Sequence, residues 1–351
     1  MAQTPKSLGF RMPAEWEEQE AVWLAWPHNE ATWPNIVKEV EDSCIQLVKE
    51  LHLGQKVKLL VNDSEMELDA GNKLANSNIN LSQVIFYKIK NVDAWMRDCA
   101  PIFVINDSLK QKAIVKWEFN AWGNKYDDLL EDSKIPYLMN KIMKLQVFEP
   151  KIVLEGGSIE VNGTGTLLTT EQCLLNGNRN PTLDKSKIET CIKDYLNVSN
   201  ILWLKEGIAG DDTDGHIDDI ARFVSQNTVV CCFEENKDDE NYEILKENYE
   251  SLLKMKDESG KKLNVVKLPM PDFIGDEKGR LPASYANFYI GNKAVAVPVF
   301  GHENDRKALH ILQGLFPNRK VAGIDCKAMV YGLGTLHCRT QQEPVVFKMA
   351  F

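Results

Sequence analysis

At 351 residues with 44% apolar side chains, the chain is long enough for a sizeable core, as one large domain or two ordinary ones. Its net charge of −10 has the wrong sign for nucleic acid or an anionic membrane, and either serves solubility or draws a cationic substrate inward. No apolar run reaches the roughly 18 residues of a membrane span, and residues 1–10 carry no basic stretch leading into an apolar one, so a cytoplasmic setting is expected.

In chain order, Ile36, Val40, Cys44, Leu47, Val48 and Leu51 recur at helical spacing, and residues 57–61 follow as a strand. Residues 101–104 and 112–115 are β-rich apolar runs separated by a turn, which is a hairpin pattern. The pattern recurs at 158–161 with 166–168, at 220–224 with 228–231, and at 287–290 with 294–297. Amphipathic helices are predicted over 243–256 and around Leu309, Leu312 and Leu315, with strands at 264–266 and 321–324. The unit is thus hairpin, helix, strand, beginning near Ala21, Ile102, Ile159, Ala221 and Asn287. Five such units with no linker between them predict one domain, residues 1–351, built by repetition around an axis. An irregular α+β domain is the alternative.

The eight cysteines are scattered without a Cys-x-x-Cys pair, so neither a zinc ribbon nor a dithiol redox motif is expected. Several, such as Cys231 and Cys232, sit in apolar runs and read as reduced core thiols. Cys338 differs in its company. His216-Ile217-Asp218 at a strand start would place an imidazole and a carboxylate on one face. Asp211, Asp212, Asp214 and Asp219 crowd the same turn, and would repel one another unless some meet a cation. The alternatives there are a solvated acidic loop or a metal ion, although a full calcium loop is lacking. In Trp95-Met96-Arg97-Asp98, Arg97 and Asp98 form an ordinary ion pair, or Asp98 accepts a guanidinium while Trp95 walls an alkyl chain. Glu155-Gly156-Gly157-Ser158 offers either close backbone approach or a bulge. A cysteine nucleophile needs a base or cation nearby, and His216 suits that role better than the adjacent His337, which points away in an extended segment.

These segments, together with Met12-Pro13-Ala14-Glu15-Trp16 near the start and Thr340-Gln341-Gln342 near the end, resemble the agmatine deiminases almost end to end. Two departures stand out: Gly332-Leu333-Gly334 where that family often has three glycines, and Cys99-Ala100 where it often has Thr-Gly. The resemblance implies an α/β fold of the guanidine-modifying superfamily, a five-bladed propeller with pseudo-fivefold symmetry. It implies Cys338 as nucleophile, His216 as proton shuttle, and Asp98 and Asp218 as guanidinium acceptors. Trp95 and Glu155 would line the pocket, and Asp212 would meet the far ammonium. It further implies hydrolysis of agmatine to N-carbamoylputrescine and ammonia in putrescine synthesis, no metal or cofactor, and a homodimer. The rival readings are a peptidyl-arginine deiminase, an arginine or dimethylarginine hydrolase, and a catalytically dead ligand-binding propeller.

Overall fold

Four β-hairpins, each extended by a parallel strand that returns through helical turns, form the repeated element of the fold. The structure is a computed structural model and describes residues 3–277 and 279–346. The expected domain of residues 1–351 therefore includes residues 1, 2, 278 and 347–351, which lie outside the described residues.

The repeats are Ile102–Asn106 with Gln111–Val115 and then Gln146–Phe148, and Glu160–Val161 with Thr166–Thr170 and then Asn200–Leu204. They continue with Ala221–Ser225, Thr228–Phe233 and Asn264–Pro269, and with Tyr289–Ile290, Ala294–Val299 and Lys320–Asp325. Continuous apolar, β-rich runs on either side of a turn made these hairpins readable, and an amphipathic helix pattern followed in the last two.

The first unit departs from the expectation. No hairpin begins at Ala21. The strand Gln19–Ala25 instead takes its antiparallel partner from the other end of the chain, Gln341–Pro344. It then pairs in parallel with Lys56–Val61, which pairs with an added strand, Val84–Lys88. Pairing across more than three hundred residues carries no local turn signal, so periodicity alone missed it. A small hairpin, Gly275–Asp276 with Gly279–Arg280, was likewise unforeseen. Helix Val37–Leu51 buries Val40, Cys44, Leu47, Val48 and Leu51, which is the stripe its spacing predicted. All eight cysteines are free thiols, and all but Cys191 are buried.

Where the sheets meet, the core becomes ionic. Glu15 is buried and accepts from Arg97 at 3.1 Å, Arg222 at 3.0 Å, the Ile290 backbone at 2.7 Å and the His337 ring at 2.8 Å. Arg222 continues to Glu160 at 2.9 Å, and Arg97 to the Gln342 side chain at 2.7 Å. Burial works to raise the pKa of Glu15, but Arg222, His337 and Arg97 outweigh it and hold the carboxylate well below its usual range. One acid thus joins four sheets and the turn leading into the fifth.

Removing one partner from such a cluster leaves the others charged and dry, at a typical cost of about 3–5 kcal/mol. Glu15→Ala should lose that much in urea unfolding, whereas Arg11→Ala, which breaks a partly exposed pair with Glu17 and Asp107, should lose about 1 kcal/mol or less. Equal losses in the two variants would contradict this picture.

Candidate active site

Cys338 lies in a buried turn following Thr335, and Asn287 ties that turn down. The Asn287 carbonyl oxygen accepts from the Thr335 hydroxyl at 2.8 Å and from the His337 backbone at 3.0 Å. Its amide donates to the Cys338 sulfur at 3.1 Å and to Asp219 at 3.0 Å. The chain is therefore not extended at His337. That ring is buried, its Nδ1 at 2.7 Å from Asp218 Oδ2 and its Nε2 at 2.8 Å from Glu15.

His216 and Asp218 do not begin a strand. Residues 217–219 make a tight 3-10 turn ahead of Ala221–Ser225. The acidic run explains the turn. Asp211 accepts from Thr213 N at 2.7 Å, Gly215 N at 2.9 Å and His216 N at 3.1 Å, so one carboxylate folds the loop around itself. Asp214 meets the cations that the crowding called for: Arg179 at 2.6 Å and Lys125 at 2.9 Å.

Gly157 is where the pieces converge. A Cβ placed there would lie 2.5 Å from His216 Nδ1, 2.9 Å from Asp98 Oδ1 and 3.1 Å from Asp218 Oδ2. Its N–H donates to Asp98 Oδ1 at 2.9 Å, while Trp122 Nε1 donates to Asp98 Oδ2 at 3.0 Å. Arg97 and Asp98 are not paired, since Arg97 turns toward Glu15. Glu155 is fully buried behind His216 rather than lining the cavity: its Oε1 accepts from Arg179 at 2.6 Å and its Oε2 stands 4.0 Å from His216 Nε2.

A cavity of about 240 Å³ opens over Cys338. Asp98, Cys338, Trp95, Trp122, Leu333, Tyr126 and Asp212 are among the residues that line it, and Asp93 and Asp128 add two further carboxylates. The Tyr126 hydroxyl donates to the Asp212 carboxylate. Leu333, the family departure, takes φ 65°, a left-handed conformation that costs a side-chain-bearing residue roughly 1–2 kcal/mol. Asp218 Oδ1, Glu155 Oε2 and His216 Nε2 are buried without a hydrogen-bond partner among the described residues.

Charge follows from burial. Dehydration, reinforced by Asp218, Asp219 and Asp98, pushes the Cys338 thiol well above its ordinary pKa. Burial lifts Asp98 to about 6 against the opposing pull of His216. For His216, burial acts downward, but Asp98, the Cys173 sulfur and Glu155 outweigh it and keep the imidazolium well above its usual range. For Asp218, burial acts upward and the His337 ring outweighs it. Burial and these neighbours thus favour a neutral thiol beside a protonated imidazole. Glu155, Cys173 and His216, and separately Asp218, Asp219 and Cys338, bring metal-capable atoms within 4.8 Å of one another.

Glu15, Asn287, Trp122, Tyr126 and Arg179 were not expected at the site, and His337 was set aside on the expectation of an extended segment. Glu15 lay inside the Met12-Pro13-Ala14-Glu15-Trp16 match and His337 beside Cys338, which were the available signals. The others are brought in by long-range packing.

The chain matches the model of the Porphyromonas-type peptidyl-arginine deiminase family over residues 11–344, and it belongs to that family. Its backbone superposes on the agmatine deiminase of Enterococcus faecalis catalyzing its reaction with a TM-score of 0.91, at 37% identity and 99% coverage of each chain. A Cys→Ser variant of C. jejuni agmatine deiminase with substrate bound gives a TM-score of 0.87, at 33% identity and 97% coverage of each. An amidinotransferase from Microseira wollei shares the fold, with a TM-score of 0.52 at 12% identity over 98% of this chain and 99% of that one.

The free enzyme should keep Cys338 as a thiol at neutral pH. An ultraviolet titration read as the difference from Cys338→Ala should show thiolate appearing only at strongly alkaline pH. Thiolate at pH 7 in both the wild type and His216→Ala would contradict the electrostatics.

Proposed function

We propose that the chain is an agmatine deiminase, releasing ammonia from agmatine and forming N-carbamoylputrescine. The observation that carries this reading is a buried thiol that stands 3.9 Å from Asp218 and lines a cavity together with Asp98 and Asp212. Carboxylates around a nucleophile suit a cationic carbon, because they hold the substrate's charge while opposing that of the thiolate. Family membership and the likeness to agmatine deiminases support it.

In this mechanism the guanidinium enters between Asp98 and Asp218, and the Asp218 Oδ1 left without a partner accepts one of its N–H groups. The arriving cation lowers the thiol pKa, and the thiol proton passes to water. The Cys338 sulfur then forms a bond to the guanidinium carbon. The C–N bond to one terminal nitrogen breaks as His216 gives that nitrogen its proton, and ammonia leaves. A thiouronium remains on Cys338. His216, now neutral, takes a proton from water as the oxygen attacks. The C–S bond breaks with its electron pair returning to sulfur, the remaining hydroxyl proton passes to that sulfur to restore the thiol, and the carbamoyl product departs. Glu155, held by Arg179, orients His216 from behind. Trp95 packs along the alkyl chain. Asp212 attracts the distal ammonium and repels the carboxylate of arginine.

The repeated sheets converging on Glu15 support a five-bladed propeller with pseudo-fivefold symmetry. A cytoplasmic homodimer serving putrescine synthesis, without metal or cofactor, completes the reading by likeness to the family. Ammonia release measured on agmatine, arginine and a capped arginine peptide tests it, with Cys338→Ala as control. Agmatine should exceed arginine in kcat/KM by about a hundredfold or more. Preference for the capped peptide would favour the peptidyl-arginine reading, and equal activity on agmatine and arginine would remove the role given to Asp212.

A further inference from the structure

Residues 121–124 hold a backbone that only glycine adopts freely. The φ angles of Ala121, Trp122, Gly123 and Asn124 are 50°, 53°, 90° and 61°. A run of this kind persists only where its surroundings enforce it, and several contacts do so. The Asn120 side chain accepts from Gly123 N at 2.9 Å and donates to the Asn178 carbonyl at 2.9 Å. Lys125 ties the following residue to the Asp212 carbonyl and the Asp214 carboxylate. Tyr126 ties the next to the Asp212 carboxylate. The segment is a strap, fixed at both flanks to the loops around the cavity.

The strap delivers the Trp122 indole to Asp98. The ring is buried, edge to face with Phe119 at 5.2 Å and with Tyr126 at 5.9 Å, and its Nε1 lies 3.0 Å from Asp98 Oδ2. Gly157 N holds the other oxygen. With one fixed donor on each oxygen, the carboxylate plane cannot turn. A planar guanidinium reacts only if its acceptor is aligned before it arrives, since misalignment of even about 1 Å costs around a hundredfold in rate.

We propose that Trp122 is a positioning residue: its indole N–H, delivered by the left-handed strap, fixes the plane in which Asp98 receives the guanidinium. The inference rests on the deiminase reading, in which Asp98 is the acceptor. The charged and titratable groups facing Asp98 are His216 and Asp218 on one turn, Glu155 on another, Cys338 above it and Cys99 on its own helix. None of these changes in a Trp122→Phe variant, so a difference from the wild type reports the lost donor. Removing a donor to the carboxylate form raises the pH at which Asp98 takes up a proton.

Agmatine binding is measured by calorimetry across pH in a Cys338→Ala background, where no turnover occurs, and kcat and KM are measured with Cys338 intact. Adding Trp122→Phe should move the acid midpoint of binding upward by about one pH unit. It should lower kcat by about tenfold or more with a smaller change in KM. Gly123→Ala is the second variant: the added Cβ would lie 2.4 Å from Asn178 Nδ2 at a φ of 90°, displacing the strap while leaving the indole intact. It should move both readouts in the same direction. Wild-type midpoints and kcat in both variants would overturn the proposal. If Cys338→Ala binds no agmatine at any pH, the functional reading itself fails, and this inference falls with it.

Discussion

The buried carboxylate of Glu15 is the constraint on which the remaining architecture depends. It sits where the sheets meet and binds two arginines, a histidine and a backbone N–H at once. A charge so far from water is tolerable only when every lone pair is used and the partners are themselves compensated, as Arg222 is by Glu160. Such a cluster has one satisfactory arrangement. It therefore fixes the angle and height of each sheet relative to the others, which a purely apolar centre would set less sharply. His337 carries that order upward. Its other nitrogen holds Asp218, and Asp218 stands beside the nucleophile at 3.9 Å.

The same buried charges set the chemistry. Carboxylates near a thiol oppose ionisation, so in the proposed reaction Cys338 becomes nucleophilic only when a cation arrives. A resting thiol among eight reduced cysteines is protected from oxidation in the same way. In that reaction substrate charge does two jobs: it binds the acids and it lets the thiol ionise. This is a physical route to selectivity for guanidinium over neutral amides, and it follows from the order of burial and charge around one sulfur.

Four of the five units were legible because each hairpin is a local pattern, as in the continuous apolar run of Thr228–Phe233, and in the last two the helix is as well, as in the stripe that buries Leu245 and Leu252. The first unit was not, because its antiparallel partner comes from the far end of the chain. At the site, Asp98, His216, Asp218 and Cys338 were read from motifs, and the fold brings them together around Gly157 and the cavity. The expected strand at His216 failed because Asp211 accepts from several backbone N–H groups and folds the loop into a turn. Glu155 was placed on the pocket wall by motif, yet its contact with Arg179 sets it behind the imidazole. Asn287, Tyr126 and Trp122 left no trace in the sequence. Asparagine and aromatic residues are common, and what distinguishes these is a partner more than twenty residues away in each case.

The central claim is that the Cys338 sulfur bonds to the guanidinium carbon during turnover. Acid quenching of the enzyme within a turnover of agmatine, followed by mass spectrometry of the peptide containing Cys338, tests it most directly. That peptide should carry the mass of agmatine less ammonia, and the adduct should vanish as substrate is exhausted. An active enzyme that shows no adduct at any quench time, or one that carries it on another residue, would rule out the covalent step at Cys338.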